Sequence, residues 1–361
     1  MCADTDDQFG TWAKKMDEAN RIRDRAAKYM ERGSYSDAAD AFLAYGSALS
    51  EYGELASWAC SLIEAAETLE MNGAFSEAGK IFLFVANSLR KSQLWGDAID
   101  CYQKAGEAYA KVGRKRFDGA AAASYAGAAD CFAALKLWSD AERMMTQGSI
   151  LGTGENIIEL EKEARKSFDK EDYAKASEAF GRIGSAYVAS LEQLSDLLPK
   201  TGMGEIAMET KSILLQRSSE NRVAQVVSLL KNDLVPEASK ILLDAAVGFR
   251  VALMNLDPLL LVGRSSPSDY KRFSYNLMMS TMLYKLLGES AEAETMFKEL
   301  IGAKEKRVAE KLNTLQHYKL AANMLKLSPL EAVKELNKVK LGGLDDMKSE
   351  VIRSFELLPR H

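Results

Sequence analysis

Gly33-Ser34-Tyr35-Ser36-Asp37-Ala38-Ala39-Asp40-Ala41-Phe42 decides the fold, because the same phrase returns along the chain. It reappears as Phe75-Ser-Glu77-Ala78-Gly-Lys-Ile81-Phe82, Trp95-Gly-Asp97-Ala98-Ile-Asp-Cys101-Tyr102, Trp138-Ser-Asp140-Ala141-Glu-Arg-Met144-Met145 and Tyr173-Ala-Lys175-Ala176-Ser-Glu-Ala179-Phe180. Two weaker copies are Val235-Pro-Glu237-Ala238-Ser-Lys-Ile241-Leu242 and Ser290-Ala-Glu292-Ala293-Glu-Thr-Met296-Phe297. Each reads as a helix start. In most an acid in the first turn complements the positive helix N-terminus; a small Ala lets a neighbouring helix come close, and large apolar residues follow three and four positions on.

The anchoring alanines lie 40, 20, 43, 35, 62 and 55 residues apart. A period near forty with one half-step predicts pairs of helices stacked side by side, which is an array and not one globule. No segment alternates at period two, so no strand is expected. The fold class is therefore all-α: about sixteen helices in a two-layer, right-handed superhelical array of hairpins, on the order of 75 Å long at 9–10 Å per helix contact.

Working outward, apolar residues at Trp12, Met16, Ala19, Ile22, Ala26, Tyr29 and Met30 mark a helix before the first copy, closed by Gly33. Asn72-Gly73 ends another. Arg114-Lys115-Arg116-Phe117 opens the most Ala-rich helix, which is expected to run to about Leu135 with little bulk to keep its neighbours away. Pro199 to Gly204 reads as the first substantial loop, and the helix that begins near Pro236 is expected to end near Leu256, before Pro258. Ser266-Pro267-Ser-Asp269 restarts a helix, the stretch from Ala291 to Leu327 is helical with one break, and Ser328-Pro329-Leu-Glu331 is a capping box. These boundaries divide the chain into an array over 1–265 and a C-terminal helical bundle over 266–361 that continues it.

Composition narrows the function. Lys and Arg number 47 against 52 Asp and Glu, a net charge of −5, which argues against general nucleic-acid binding. No run of eighteen apolar residues occurs and the first residues are acidic, so the expected location is cytoplasmic, with peripheral membrane contact open. The four cysteines lack metal-ligand spacing, and Cys60, Cys101 and Cys131 read as buried apolar residues. With His317 and the terminal His361 as the only histidines, no catalytic set assembles, and no enzyme, metal or cofactor is expected. Gly152-Thr-Gly154 and Gly202-Met-Gly204 follow no strand and read as helix punctuation, not phosphate loops.

Two stretches suit partner contact. Lys111, Arg114, Lys115 and Arg116 form a dense basic cluster, which either decorates a helix end or meets an acidic partner. Leu259, Leu260, Leu261 and Val262 either anchor a partner or membrane surface, or tuck under the next helices. Residues 298–340 hold ten Lys/Arg against five Glu, and residues 1–52 seven against ten acids, a polarity that can steer a charged partner.

The pattern aromatic-x-x-Ala-x-x-x-aromatic with a small or apolar residue three further on (Tyr173, Ala176, Phe180, Ile183; Trp95, Ala98, Tyr102, Ala105) resembles the second helix of a tetratricopeptide repeat. The passage from Asp97 to Phe117, continuing through Ala128-Ala-Asp-Cys-Phe132 to Ala141, resembles the soluble NSF attachment protein (SNAP) family, over roughly residues 30–185. That resemblance implies a twisted sheet of helical hairpins with a C-terminal bundle, which holds a coiled-coil SNARE bundle and presents it to a hexameric AAA+ ATPase in vesicle transport. By position it puts the family's basic residue at Arg114 or Arg116. The family's next Lys would fall near Ala122, and its acidic C-terminus with a penultimate Leu is not matched by Leu357-Leu358-Pro359-Arg360-His361. The expected function is a non-catalytic adaptor for a helical or coiled-coil protein. A general tetratricopeptide-like scaffold or peptide binder, unrelated to membrane fusion, is the alternative.

Overall fold

The computed structural model describes residues 4–50, 55–112, 115–153, 157–201, 204–262, 267–302, 306–356 and 358. Among them the secondary structure is helical throughout, without a strand. Two compact units form, residues 1–154 and 155–361. Residues 155–265 and 266–361 thus share one unit, and the chain passes from the first unit to the second just after the Gly152 that caps a helix.

In the first unit, α1 (Asp4–Glu31), α2 (Tyr35–Ser50), α3 (Leu55–Met71), α4 (Phe75–Lys91), α5 (Trp95–Lys111), α6 (Lys115–Ala134) and α7 (Trp138–Leu151) each pack on the next. The second unit begins with α8 (Ile157–Asp169), α9 (Tyr173–Thr201), α10 (Gly204–Lys231), α11 (Val235–Val262) and α12 (Pro267–Leu286), again packed in sequence. It closes with α13 (Ser290–Gly302), α14 (Lys306–Leu312), α15 (Gln316–Met324), α16 (Pro329–Glu335), two 3₁₀ segments at Leu336–Lys338 and Gly342–Met347, and α17 (Lys348–Glu356).

The recurring phrase is one hairpin turn, repeated. Residues Gly33, Gly73, Gln93, Lys136, Glu171, Asp233 and Gly288 all take positive φ between 57° and 79°. At the first, Gly33 N–H donates to the Met30 carbonyl at 3.0 Å and Ser34 N–H to the Tyr29 carbonyl at 3.0 Å, the pair of bonds that ends a helix in a Schellman motif. The Ser34 carbonyl then accepts Ala38 N–H at 3.0 Å, which starts the next helix. Gln93, Leu94 and Ala98 repeat the same three bonds at 3.0 Å each, and the other five turns follow suit. Every anchoring Ala (38, 78, 98, 141, 176, 238 and 293) is 0% exposed. A three-residue turn forces the two helices to run antiparallel, and the absent side-chain bulk at the Ala lets them touch.

Burial falls on the Ala and the residue four beyond it, as in Phe42, Phe82, Tyr102, Met145, Phe180 and Leu242. The aromatic that opens each copy is only half-buried, and Trp138 is exposed. Glycine and tyrosine interlock α5 with α6: a Cβ on Gly106 would meet the Tyr125 ring at 2.7–2.9 Å, and one on Gly127 the Tyr102 ring at 2.5–2.8 Å.

Several boundaries differ from the sequence reading. α9 runs through Pro199 to Thr201 and α10 starts at Gly204, so no long loop separates them. α11 continues through Pro258 to Val262. Proline there removes only the N–H that would reach Met254, on a solvent-exposed side, while Leu259 and Leu260 on the opposite side are buried and hold the helix in place. The stretch from Ala291 to Leu327, expected to break once, holds three helices among the described residues, α13, α14 and α15. The capping box forms as expected: Ser328 Oγ accepts Glu331 N–H at 3.4 Å, and Ser328 N–H donates to Glu331 Oε2 at 2.9 Å.

Candidate functional site

The basic cluster resolves only in part. Lys111 closes α5, where its Nζ pairs with Glu70 Oε1 at 3.2 Å and sits 5.6 Å from the centre of the Phe75 ring. It ties α5 to α3 and α4 and is already engaged within the first unit. Arg114 lies outside the described residues. Lys115 and Arg116 occupy the first turn of α6, and their side chains also lie outside them.

The apolar run Leu259–Val262 is the last turn of α11, not a loop. Leu259 and Leu260 are buried, so in the second unit they serve packing and offer no anchor to a partner; the side chains of Leu261 and Val262 lie outside the described residues. Of the cysteines, Cys60 is exposed, against expectation, while Cys101 and Cys131 are buried. Burial pushes the Cys101 thiol up to about 12 and the Cys131 thiol up to about 11, which leaves both almost wholly protonated at neutral pH. Gly152 caps α7, with its N–H on the Gly148 carbonyl at 3.0 Å. His317 stacks edge-on against Tyr275 with ring centres 5.7 Å apart, and its Nε2 lies 2.9 Å from the Lys340 carbonyl.

What sequence reasoning missed is how the C-terminal segment is seated. The 3₁₀ segment Gly342–Met347 and α17 lie on α10, and α15 and α16 lie on α12. A buried carboxylate organises this contact. Glu220 of α10 accepts from Gln216 Nε2 at 3.0 Å, from Arg217 Nη1 at 3.3 Å and from Gly343 N–H at 3.3 Å, 123 residues away in sequence. Tyr275 of α12 donates its hydroxyl to the Leu341 carbonyl at 2.8 Å. Burial first, and then the Glu220 charge, hold that phenol well above its usual value. Two outer pairs reinforce the seat, Arg165–Asp346 at 2.7 Å and Lys231–Glu350 at 2.5 Å. Beside it lies a cavity of about 90 Å³ lined by Glu161, Arg165, Arg217, Glu220 and Gly343. Arg165 pairs there with Asp346, Arg217 with Glu220, and Glu161 accepts the Tyr187 hydroxyl at 3.4 Å, so the arrangement fastens one segment of the chain to another.

A larger open groove of about 690 Å³ runs along α8 into the start of α9, lined by Lys162, Lys166, Lys170 and Lys175 with Glu159, Glu163 and Asp172. Its charges are mixed: Lys162 pairs with Glu159 at 2.8 Å and Lys175 with Glu163 at 3.0 Å.

α11 departs furthest from what a surface helix should be. Its inner side buries Ala238, Leu242, Ala245, Phe249, Leu253 and Leu256. Its outer side is apolar as well: Leu243, Val247, Val251 and Met254 are 39, 44, 38 and 52% exposed, and Pro258 continues the line. The legible signal was an apolar residue on every side of a helix, a pattern that belongs to a buried helix and here is not buried. No helix among the described residues is long and apolar enough to cross a membrane. No protein-family model matches the chain, and no curated protein matches it either.

Proposed function

We propose that the chain is a non-catalytic adaptor that holds a helical or coiled-coil protein, in the manner of the SNAP family its first half resembles, and presents it to an AAA+ ATPase. The observation that carries this reading is the sevenfold hairpin turn with its fully buried Ala anchors. A stack built that way satisfies its apolar surface between neighbours, needs no central core, and leaves whole helix faces available to another polypeptide.

The test is titration of the full chain with a preassembled parallel four-helix coiled coil, followed by anisotropy over a salt series. Saturable binding that weakens with salt, and that falls in an Arg114→Ala, Lys115→Ala, Arg116→Ala variant, supports the reading. No binding at any salt concentration refutes it.

One observation favours the alternative, a tetratricopeptide-like scaffold for peptides. The faces of α10 and α12 already accept a segment of this chain, and the docking of Leu341–Met347 uses backbone groups of that segment (Gly343 N–H and the Leu341 carbonyl) as a peptide ligand would. Affinity for short extended peptides, indifferent to the triple substitution, is the result that reading requires.

A further inference from the structure

We infer that the outer face of α11 is the docking surface for one amphipathic α-helix of a partner protein, a deepening that rests on the adaptor reading. The spacing of the exposed residues specifies the kind of occupant. Val247, Val251, Met254 and Pro258 follow one another at four, three and four positions, the alternation of a coiled-coil seam, with Leu243 extending the line at its N-terminal end. At 1.5 Å per residue the stripe from Leu243 to Pro258 is roughly 22 Å long, about four turns of a facing helix. An extended peptide, whose side chains repeat every second residue, has no such register to offer.

The flanks set the partner's charge. On one side of the stripe Asp244 pairs with Arg222 of α10 at 3.5 Å, a balanced edge. On the other, Arg250 is shared between Glu292 and Glu299 of α13, the second at 3.8 Å, so two carboxylates there answer one guanidinium. A partner helix that brings Lys or Arg to this edge and apolar residues to the seam complements both features. A second copy of the chain is the poorer occupant. In a two-fold antiparallel pairing of α11 with its own copy the edge that carries Glu292 and Glu299 would face the same edge of the copy, which sets like charges together.

The experiment uses the full chain and a fluorescein-labelled synthetic helix of about four heptads, with Leu and Val on one seam and Lys along one edge, beside a peptide of the same composition in scrambled order. The wild-type chain binds the patterned peptide and not the scrambled one. Val247→Glu with Met254→Glu weakens binding by at least about tenfold, because two carboxylates would have to be buried against an apolar seam. Val188→Glu, on an exposed apolar residue of α9, leaves it unchanged. Since the α11 positions face solvent, circular dichroism and melting temperature stay as in the wild type; Val247→Lys serves as a second variant if the double one melts early.

Equal binding by wild type and both α11 variants overturns the inference while leaving the adaptor reading intact. Failure of the wild type to bind either this peptide or the four-helix coiled coil overturns both. A dimer of the chain alone, seen by sedimentation and abolished by the α11 variant, overturns it in favour of a second copy.

Discussion

Substituting alanine for glycine at two places in one helix gives opposite signs. Gly119 and Gly127 both lie in α6, and nothing approaches within 4 Å of a Cβ added at Gly119. There the helix gains the propensity difference, about 0.5–1 kcal/mol. At Gly127 the added methyl would stand 2.5, 2.7 and 2.8 Å from Cε1, Cζ and Cδ1 of Tyr102, about 1 Å inside normal carbon contact. The Tyr102 ring has nowhere to go: it is buried, its hydroxyl donates to Asn87 Oδ1 at 2.7 Å, and its own helix is pinned where Gly106 meets Tyr125. Overpacking of this kind costs about 1–3 kcal/mol; set against the propensity gain, the net loss is about 1–2 kcal/mol. The first unit spans 154 residues, so its melting temperature moves up by roughly 1–4 °C for Gly119→Ala and down by roughly 2–8 °C for Gly127→Ala. Scanning calorimetry on the full chain reads both. In a Tyr102→Ala background the clash is gone, and Gly127→Ala becomes stabilising. Shifts in the same direction for the two substitutions, or an unchanged sign without Tyr102, refute the interlock.

Other perturbations follow from the same structure. Lys136→Gly and Gln93→Gly, which relieve a left-handed residue that carries a Cβ, raise stability by about 0.5–1 kcal/mol, whereas Gly73→Ala lowers it by about 1 kcal/mol, as urea midpoints would show. Asp130 pairs with Arg90 at 2.9 Å, yet burial pushes its carboxyl from 3.8 up to about 6. A group raised in this way binds its proton more tightly folded than unfolded, so the first unit loses stability as pH rises from about 4 to 6 and is flat above that. Discounted for its partial exposure, the loss is about 1–2 kcal/mol, and Asp130→Asn removes the slope. Glu220→Leu leaves the Gly343 N–H without its acceptor and Arg217 without its carboxylate, costs about 1–3 kcal/mol and makes residues 341–347 a site of proteolysis; Glu220→Gln, which keeps an acceptor, is milder.

The array was legible because its instruction is local and repeated. A buried Ala, an apolar residue four beyond it and a three-residue turn lie within about ten positions, and seven copies average out the noise of any one. The turn chemistry itself was half hidden. Four of the seven left-handed positions carry Gln, Lys, Glu or Asp where glycine would have announced the turn, since the two Schellman bonds tolerate the cost of a side chain. The prolines misled in the other direction. Pro199 sits two residues from the end of α9, and Pro258 faces solvent, so each removes one hydrogen bond from a helix held by packing elsewhere. α12 shows the same limit: Ser274, Asn276, Ser280 and Thr281 are wholly buried among helices that flank it on several sides, and no polar–apolar pattern within α12 could have said so.

The candidate sites were less legible for a reason that follows from how an array is built. A residue that contacts the neighbouring repeat is under the same constraint in every copy and therefore writes a periodic signal; a residue that faces outward is constrained by its partner alone, once. Density of charge, the signal that remains, points to Lys111, which is engaged by Glu70 and Phe75. Density of leucine selected Leu259 and Leu260, which are core. The better signal lies in subtraction. Within α11 the repeat accounts for Ala238, Leu242, Ala245, Phe249 and the residues that continue that side, and what remains after they are removed, Leu243, Val247, Val251 and Met254, should have been polar. An apolar remainder left in register after the repeat has been accounted for is a demand from outside the fold, and it is on that remainder that substitutions should change binding without changing stability.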